Sequence, residues 1–179
     1  MATPPTFSAG AVLTAAQMNQ LGMFLIQKVT IGAGTTSLPI TDAFSADYDN
    51  YRIIISGGVA SATTVLQTQL GTTATGYYYG GSARTYAGVT LNIQAANSSS
   101  WYAGEGSVNS IEMNIEIQNP FTAKNTTFTG QFAATRTDAY WLAVGGYLAN
   151  TTSYTDLTIT PSGGATLTGG TVYVYGYRK

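Results

Sequence analysis

The chain has 179 residues, a net charge of −1 and only 8% charged residues, against a usual share of about 25%. It has no His and no Cys, which excludes disulfides, zinc sites built on imidazole or thiolate, and His-dependent Ser or Cys nucleophiles. Seven Lys and Arg are too few to coat a phosphate backbone, so nucleic-acid binding is not expected. No apolar run approaches the roughly 18 residues of a membrane helix, so no membrane insertion is expected either.

Residues 1–27 read differently from residues 28–179. The opening MATPPTFSAG lacks the basic and apolar regions of a signal peptide, which predicts a product made in a cytosol and placed by assembly. Thr14-Ala15-Ala16-Gln17 has the form of a capping box, with Leu13 before the cap and Met18 positioned as a hydrophobic staple. The spacing predicts one short helix over Ala15–Leu21, ended by Gly22. Such a helix is too short to stand alone in water. Leu13, Met18 and Leu21 are its expected docking face, an anchor on the body of the chain or on a partner.

From Phe24 onward the pattern is strands. Phe24–Ile31 comes first, then Ser37–Thr41, where Pro39 marks an edge. Tyr51–Ser56 reads as a buried strand, and Thr64–Leu70 alternates. Ile111–Gln118 keeps period two over its whole length: Ile111, Met113, Ile115 and Ile117 face one way, Glu112, Asn114, Glu116 and Gln118 the other. Further strands are expected at Thr126–Ala134, Tyr140–Leu148, Leu157–Thr160 and Thr171–Arg178, with turn signals at Gly57-Gly58, Thr137-Asp138, Pro161-Ser162-Gly163-Gly164 and Gly169-Gly170. The stretch Gly71–Ser110 is glycine-rich and aromatic and predicts few regular strands. The expected fold is all-β, an antiparallel, jelly-roll-like β-sandwich over residues 28–179 preceded by a short helical segment over residues 1–27.

Carboxylates are the natural place to look for hydrolysis. Glu112 and Glu116 share a strand face but lie about 13 Å apart, beyond the roughly 5–9.5 Å that retaining or inverting glycosidases need. The pair fails by itself, although each could pair across strands. Asp47-Tyr48-Asp49-Asn50 offers oxygen ligands without a calcium-loop pattern and reads as a turn before a strand. No metal and no cofactor is expected. Aromatics are more informative. Tyr173, Tyr175 and Tyr177 give the last strand one aromatic face, suited to packing. In Tyr77-Tyr78-Tyr79 at least one ring must point outward. Rings among Gly, Ser and Asn suit stacking on sugars or packing on a neighbouring subunit. The candidate ligand residues are Tyr78, Trp101 and Tyr102, with Arg84 and Asn97 as polar neighbours.

Three stretches resemble a known family. PPTFSAGAVLTAAQMNQLG (Pro4 to Gly22) is similar to the opening of minor tail and tail-fibre proteins of tailed bacteriophages, in which a TF-x-AG-x-VLTAAQMN-like segment precedes a β-rich body. FSADYDNYRIIIS (Phe44 to Ser56) resembles the strand entry of those bodies. The close, with VYGY at Val174 to Tyr177, resembles their aromatic last strand. The resemblance implies a virion protein, a homotrimer, held to other virion proteins by its N-terminal segment and presenting a β domain to the host surface. The leading expectation is a non-enzymatic short tail fibre or tail-tip adhesin that contacts host-surface carbohydrate. The alternatives are a head decoration or purely architectural protein, and a polysaccharide depolymerase using Glu105, Glu112 or Glu116 across strands.

Overall fold

The computed structural model describes residues 22–136 and 138–178, together with Gly10 and Val12. The expected helix Ala15–Leu21, with Leu13, Met18 and Leu21, lies outside the described residues, as does Thr137 of one expected turn. Among the described residues every regular element is a strand and all pairings are antiparallel. No helix among them is long and apolar enough to cross a membrane.

The strands are β1 (Met23–Thr30), β2 (Leu38–Ile40), β3 (Tyr48–Ser56), β4 (Val59–Ala60), β5 (Thr64–Leu70), β6 (Tyr77–Thr85), β7 (Thr90–Ser98), β8 (Trp101–Gly106), β9 (Ile111–Gln118), β10 (Thr126–Ala134), β11 (Tyr140–Leu148), β12 (Leu157–Pro161), β13 (Leu167–Thr168) and β14 (Thr171–Arg178). Eight of them run in the order β1-β14-β3-β9-β10-β11-β6-β7, and four in the order β2-β12-β5-β8. The two runs are joined where β8 turns into β9, at the pairs Glu105–Glu112 and Gly106–Ile111. β4 and β13 form a separate short ribbon.

The arrangement is sandwich-like because alternate side chains of the larger run face the smaller one. Ile53 and Ile55 of β3, Ile115 and Ile117 of β9, Phe128 of β10 and Leu142 of β11 are buried, as are Leu66 and Leu70 of β5 and Leu157 and Ile159 of β12. β8 lies against β10, β6 and β11. Its Trp101 stacks on Phe128 at 4.6 Å between centroids and meets Tyr77 edge-on at 5.1 Å. The Tyr77 hydroxyl in turn accepts from the Leu70 amide at 2.8 Å, tying β6 to β5. Burial pushes that hydroxyl up to about 12.

Five expected strands, β5, β9, β10, β11 and β14, have the bounds the sequence predicts. β2, with Pro39 in its middle, is an edge strand pairing only with β12, where a residue without an amide hydrogen costs no ladder bond. Three expectations need correction. β1 runs Met23–Thr30 rather than Phe24–Ile31 and pairs with β14. β12 extends through Pro161, a residue of the expected turn, because it pairs with Leu66 of β5. The stretch Gly71–Ser110 is not irregular: it holds the three strands β6, β7 and β8.

Glycine hides β6 from a reading of local pattern, and the reason is close backbone approach. A Cβ on Gly146 of β11 would sit 2.0 Å from the Tyr78 carbonyl oxygen, and one on Gly81 of β6 would sit 2.4 Å from that of Ala143. Strand glycines commonly mark such contacts. Gly146→Ala therefore forces β6 and β11 apart and is expected to cost about 2 kcal/mol, read as a lower urea midpoint. An unchanged midpoint would mean that the strands are not this close. Gly57-Gly58 and Gly169-Gly170 work similarly. All four have positive φ, and a Cβ on Gly58 would sit 2.2 Å from the Gly169 carbonyl oxygen, so the two turns abut.

Candidate functional site

The outer face of the larger sheet can be read row by row from its register. One row runs Tyr175, Arg52, Glu116, Thr129, Gly145, Gly80, Gln94 across seven strands. The neighbouring row runs Tyr177, Asn50, Gln118, Thr127, Tyr147, Tyr78. On the other side of the first row lie Ala143 and Ser82, and beyond them Trp141 and Arg84.

The side chains in the middle of this grid are small and those around it are large, so the surface is concave. Gly80 and Gly145 form part of a floor. A trough of about 530 Å³ opens over them, walled by Arg52, Glu116, Asn114, Thr129 and Gln131. It continues into an aromatic annex of about 340 Å³ lined by Tyr78, Tyr79 and Tyr147, which shares Gly80 and Gly145. Both volumes fall in the range of small-molecule sites. Tyr78 and Tyr147 stack at 5.0 Å with planes 7° apart. Tyr147 is 41% and Trp141 45% exposed, unusual for rings of that size without a partner surface. They stand six positions apart on one strand, about 20 Å.

The polar wall is held in place from one side. The Tyr177 hydroxyl donates to Glu116 Oε1 at 2.7 Å, and Arg52 Nη1 lies 3.7 Å from the same oxygen. Burial, then the Glu116 carboxylate, raises the Tyr177 hydroxyl above its ordinary value, so it stays a donor. Tyr173 and Tyr175 stack at 6.3 Å, with Lys28 Nζ 5.6 Å from the Tyr173 ring centroid. The tyrosine ladder of β14 thus forms the rim beside the trough.

The sequence-derived ligand residues divide. Tyr78 and Arg84 belong to this face. Asn97 is exposed but serves a bulge of β7 opposite Tyr78: its φ is 55° and its Oδ1 accepts from the Gly76 amide at 3.0 Å. Trp101 and Tyr102 do not face a ligand, because β8 is covered on both sides and every residue of it is buried. Trp141, Tyr147 and the glycine floor were not singled out from the sequence. Their signal was present in the alternation Trp141, Ala143, Gly145, Tyr147 against Leu142, Val144, Leu148, large rings bracketing small residues on one face.

A second cluster is closed. Glu105 on β8 is 2% exposed. Its Oε1 accepts from the hydroxyls of Tyr102 and Tyr140, the latter at 2.5 Å, and Arg136 Nη1 lies 3.4 Å from Oε2. Arg136 is gripped by Asp138 at 2.5 and 2.8 Å. Residues three apart on a regular strand face opposite sides. Tyr102 and Glu105 share a side because β8 carries one extra residue opposite Leu66 and Gln67 of β5, a bulge that re-aims the side chains. Burial raises the Glu105 carboxyl above its ordinary value, while hydrogen bonding and charge from Tyr140 and Arg136 oppose the rise. Tyr140 is raised by burial and by Glu105. The Asp138 carboxyl is lowered by its bonds to Arg136. Glu112 faces Glu105 across the strands, but the space beside them has no room for a water molecule.

Comparison with protein-family models, with curated proteins and with solved structures gave no match.

Proposed function

We propose that this chain is a non-enzymatic structural protein of a tailed-phage virion, a short tail fibre or tail-tip adhesin, whose larger sheet presents its outer face to host-surface glycan. Support for the virion role is the likeness of Pro4–Gly22, Phe44–Ser56 and the closing strand to phage tail proteins. The binding role rests on one observation, the trough with stacked Tyr78 and Tyr147 at one end and exposed Trp141 beyond the other. Aromatic faces take the C–H faces of sugars, and amides and hydroxyls take their hydroxyl groups.

A jelly-roll reading of the fold supports this role by analogy only, since such sandwiches serve viral shells and lectins alike. The smaller run holds its strands in the chain order first, fourth, second, third, and each connection passes through the larger run, as in a jelly roll. The trimer expected from the resemblance is tested by light scattering, where a clean monomer at micromolar concentration removes it.

An architectural role, in the head or tail, has its own support. Among the described residues β1 and β7 each pair on one side only, and Met23, Leu25, Val89 and Leu91 are exposed there. Open edges of this kind suit neighbouring subunits. A depolymerase has less support: among the described residues the carboxylates paired across strands are Glu105 and Glu112, and Glu105 is buried with no room for a water beside it. Gold labelling of the chain in intact particles separates the two structural readings: label at the tail tip supports the adhesin, and label on the capsid overturns it.

A further inference from the structure

The charge and length of the trough narrow its ligand class; this step rests on the reading of the outer face as a glycan site. The charged side chains of its wall, Arg52 and Glu116, face each other across β3 and β9 at 3.7 Å, so they answer each other and offer no net field to an acidic sugar. The rest of the wall is neutral: Asn114, Thr129 and Gln131, with Tyr78 and Tyr147 in the annex. Among the described residues no protein hydrogen bond engages Asn114, Gln131 or Thr129 side chains, which leaves their donors and acceptors for a ligand. Glu116 spends Oε1 on Tyr177 and Arg52 and keeps Oε2 as an acceptor. Amides and a carboxylate that only accepts make a surface for hydroxyl groups.

Length follows from the register. The two ring sites lie about 20 Å apart along β11, with Gly145 and Ala143 between them. No single sugar ring reaches both. We propose that the trough holds a stretch of neutral oligosaccharide lying along β11, with ring faces on Tyr147 and Trp141 and hydroxyls on Glu116, Asn114 and Gln131.

Gly80 provides a substitution that blocks the floor without disturbing the fold. A Cβ there meets nothing within 4 Å, and the backbone is not in the left-handed region. Gly80→Leu should fold with an unchanged melting curve and fill the trough. The probes are neutral oligosaccharides of glucan, mannan and galactan type, their disaccharides, and the acidic oligogalacturonate and oligosialate. The expected result is saturable binding of a neutral oligosaccharide that is insensitive to added salt, weak competition by the matching disaccharide, and a loss of about tenfold or more in Gly80→Leu and in Tyr147→Ala. Salt-sensitive binding of acidic probes alone, reduced by Arg84→Gln at the Trp141 end, overturns the neutral class and keeps the adhesin. Absence of binding to any probe overturns the inference. Particles carrying Gly80→Leu then decide the underlying reading: if they adsorb to the host as well as the parent, the adhesin role falls too.

Discussion

Trp101→Ala is expected to lower the unfolding free energy by about 4 kcal/mol, a large share of the roughly 5–15 kcal/mol that holds a domain of this kind together. Trp101 is fully buried, stacked on Phe128 of β10 and edge-on to Tyr77 of β6. Truncation removes both ring contacts and opens a void between the two sheets, which rigid strands on either side cannot close. The indole Nε1 donates to the Tyr147 carbonyl at 3.4 Å, so the same change loosens the strand that carries the exposed ring of the trough. Tyr147→Ala, by contrast, removes a half-exposed ring from the surface and should cost about 1 kcal/mol, mostly its stacking on Tyr78. Urea unfolding of the two variants gives the comparison. A Trp101→Ala cost below about 1 kcal/mol would mean that the ring lies at the surface after all.

That contrast shows where local pattern carries information and where it does not. β9 was legible because its two faces meet different surroundings, Ile and Met inward, Glu, Asn and Gln outward. Trp101 and Tyr102 were not, because β8 is buried on both sides. Trp101 meets Phe128, while Tyr102 stacks on Phe132 at 6.2 Å and meets Tyr140 through its hydroxyl at 2.9 Å. Two adjacent aromatics then look the same in sequence whether they line a loop or fill a core. β6 was hidden for another reason. Gly80 and Gly81 weaken strand propensity, and what keeps them in a strand is the nearness of β11, some sixty residues later in the chain. Pairing between distant segments leaves no local trace. The trough itself is half legible: Tyr78 and Arg84 were chosen for their chemistry, but the floor exists only because Gly80 and Gly145 fall opposite each other in the register.

Glu105→Ala is expected to cost about 3 kcal/mol at neutral pH, since it deprives two buried tyrosine hydroxyls and Arg136 of an acceptor. Glu105→Gln should cost less. It keeps an oxygen for Tyr102 and Tyr140 and loses only the longer contact to Arg136. The two variants also separate packing from charge through pH. Burial holds the Glu105 carboxyl above its ordinary 4.5 in the folded protein, so in that window the folded state binds more protons than the unfolded state. Stability therefore falls as pH rises from the ordinary value through the raised one, and is level beyond it. Asp138 has the opposite sign. Its carboxyl lies below the ordinary 3.8 because of Arg136, so its contribution is present above that value and is lost as pH falls through the lowered one. The parent protein should show a stability maximum between the two windows. Urea unfolding across this pH range provides the measurement. Glu105→Gln should abolish the decline on the alkaline side of the maximum and leave the acid-side loss in place. A decline that survives Glu105→Gln would assign it to another group and remove Glu105 as the buried charge at this end of the sheet.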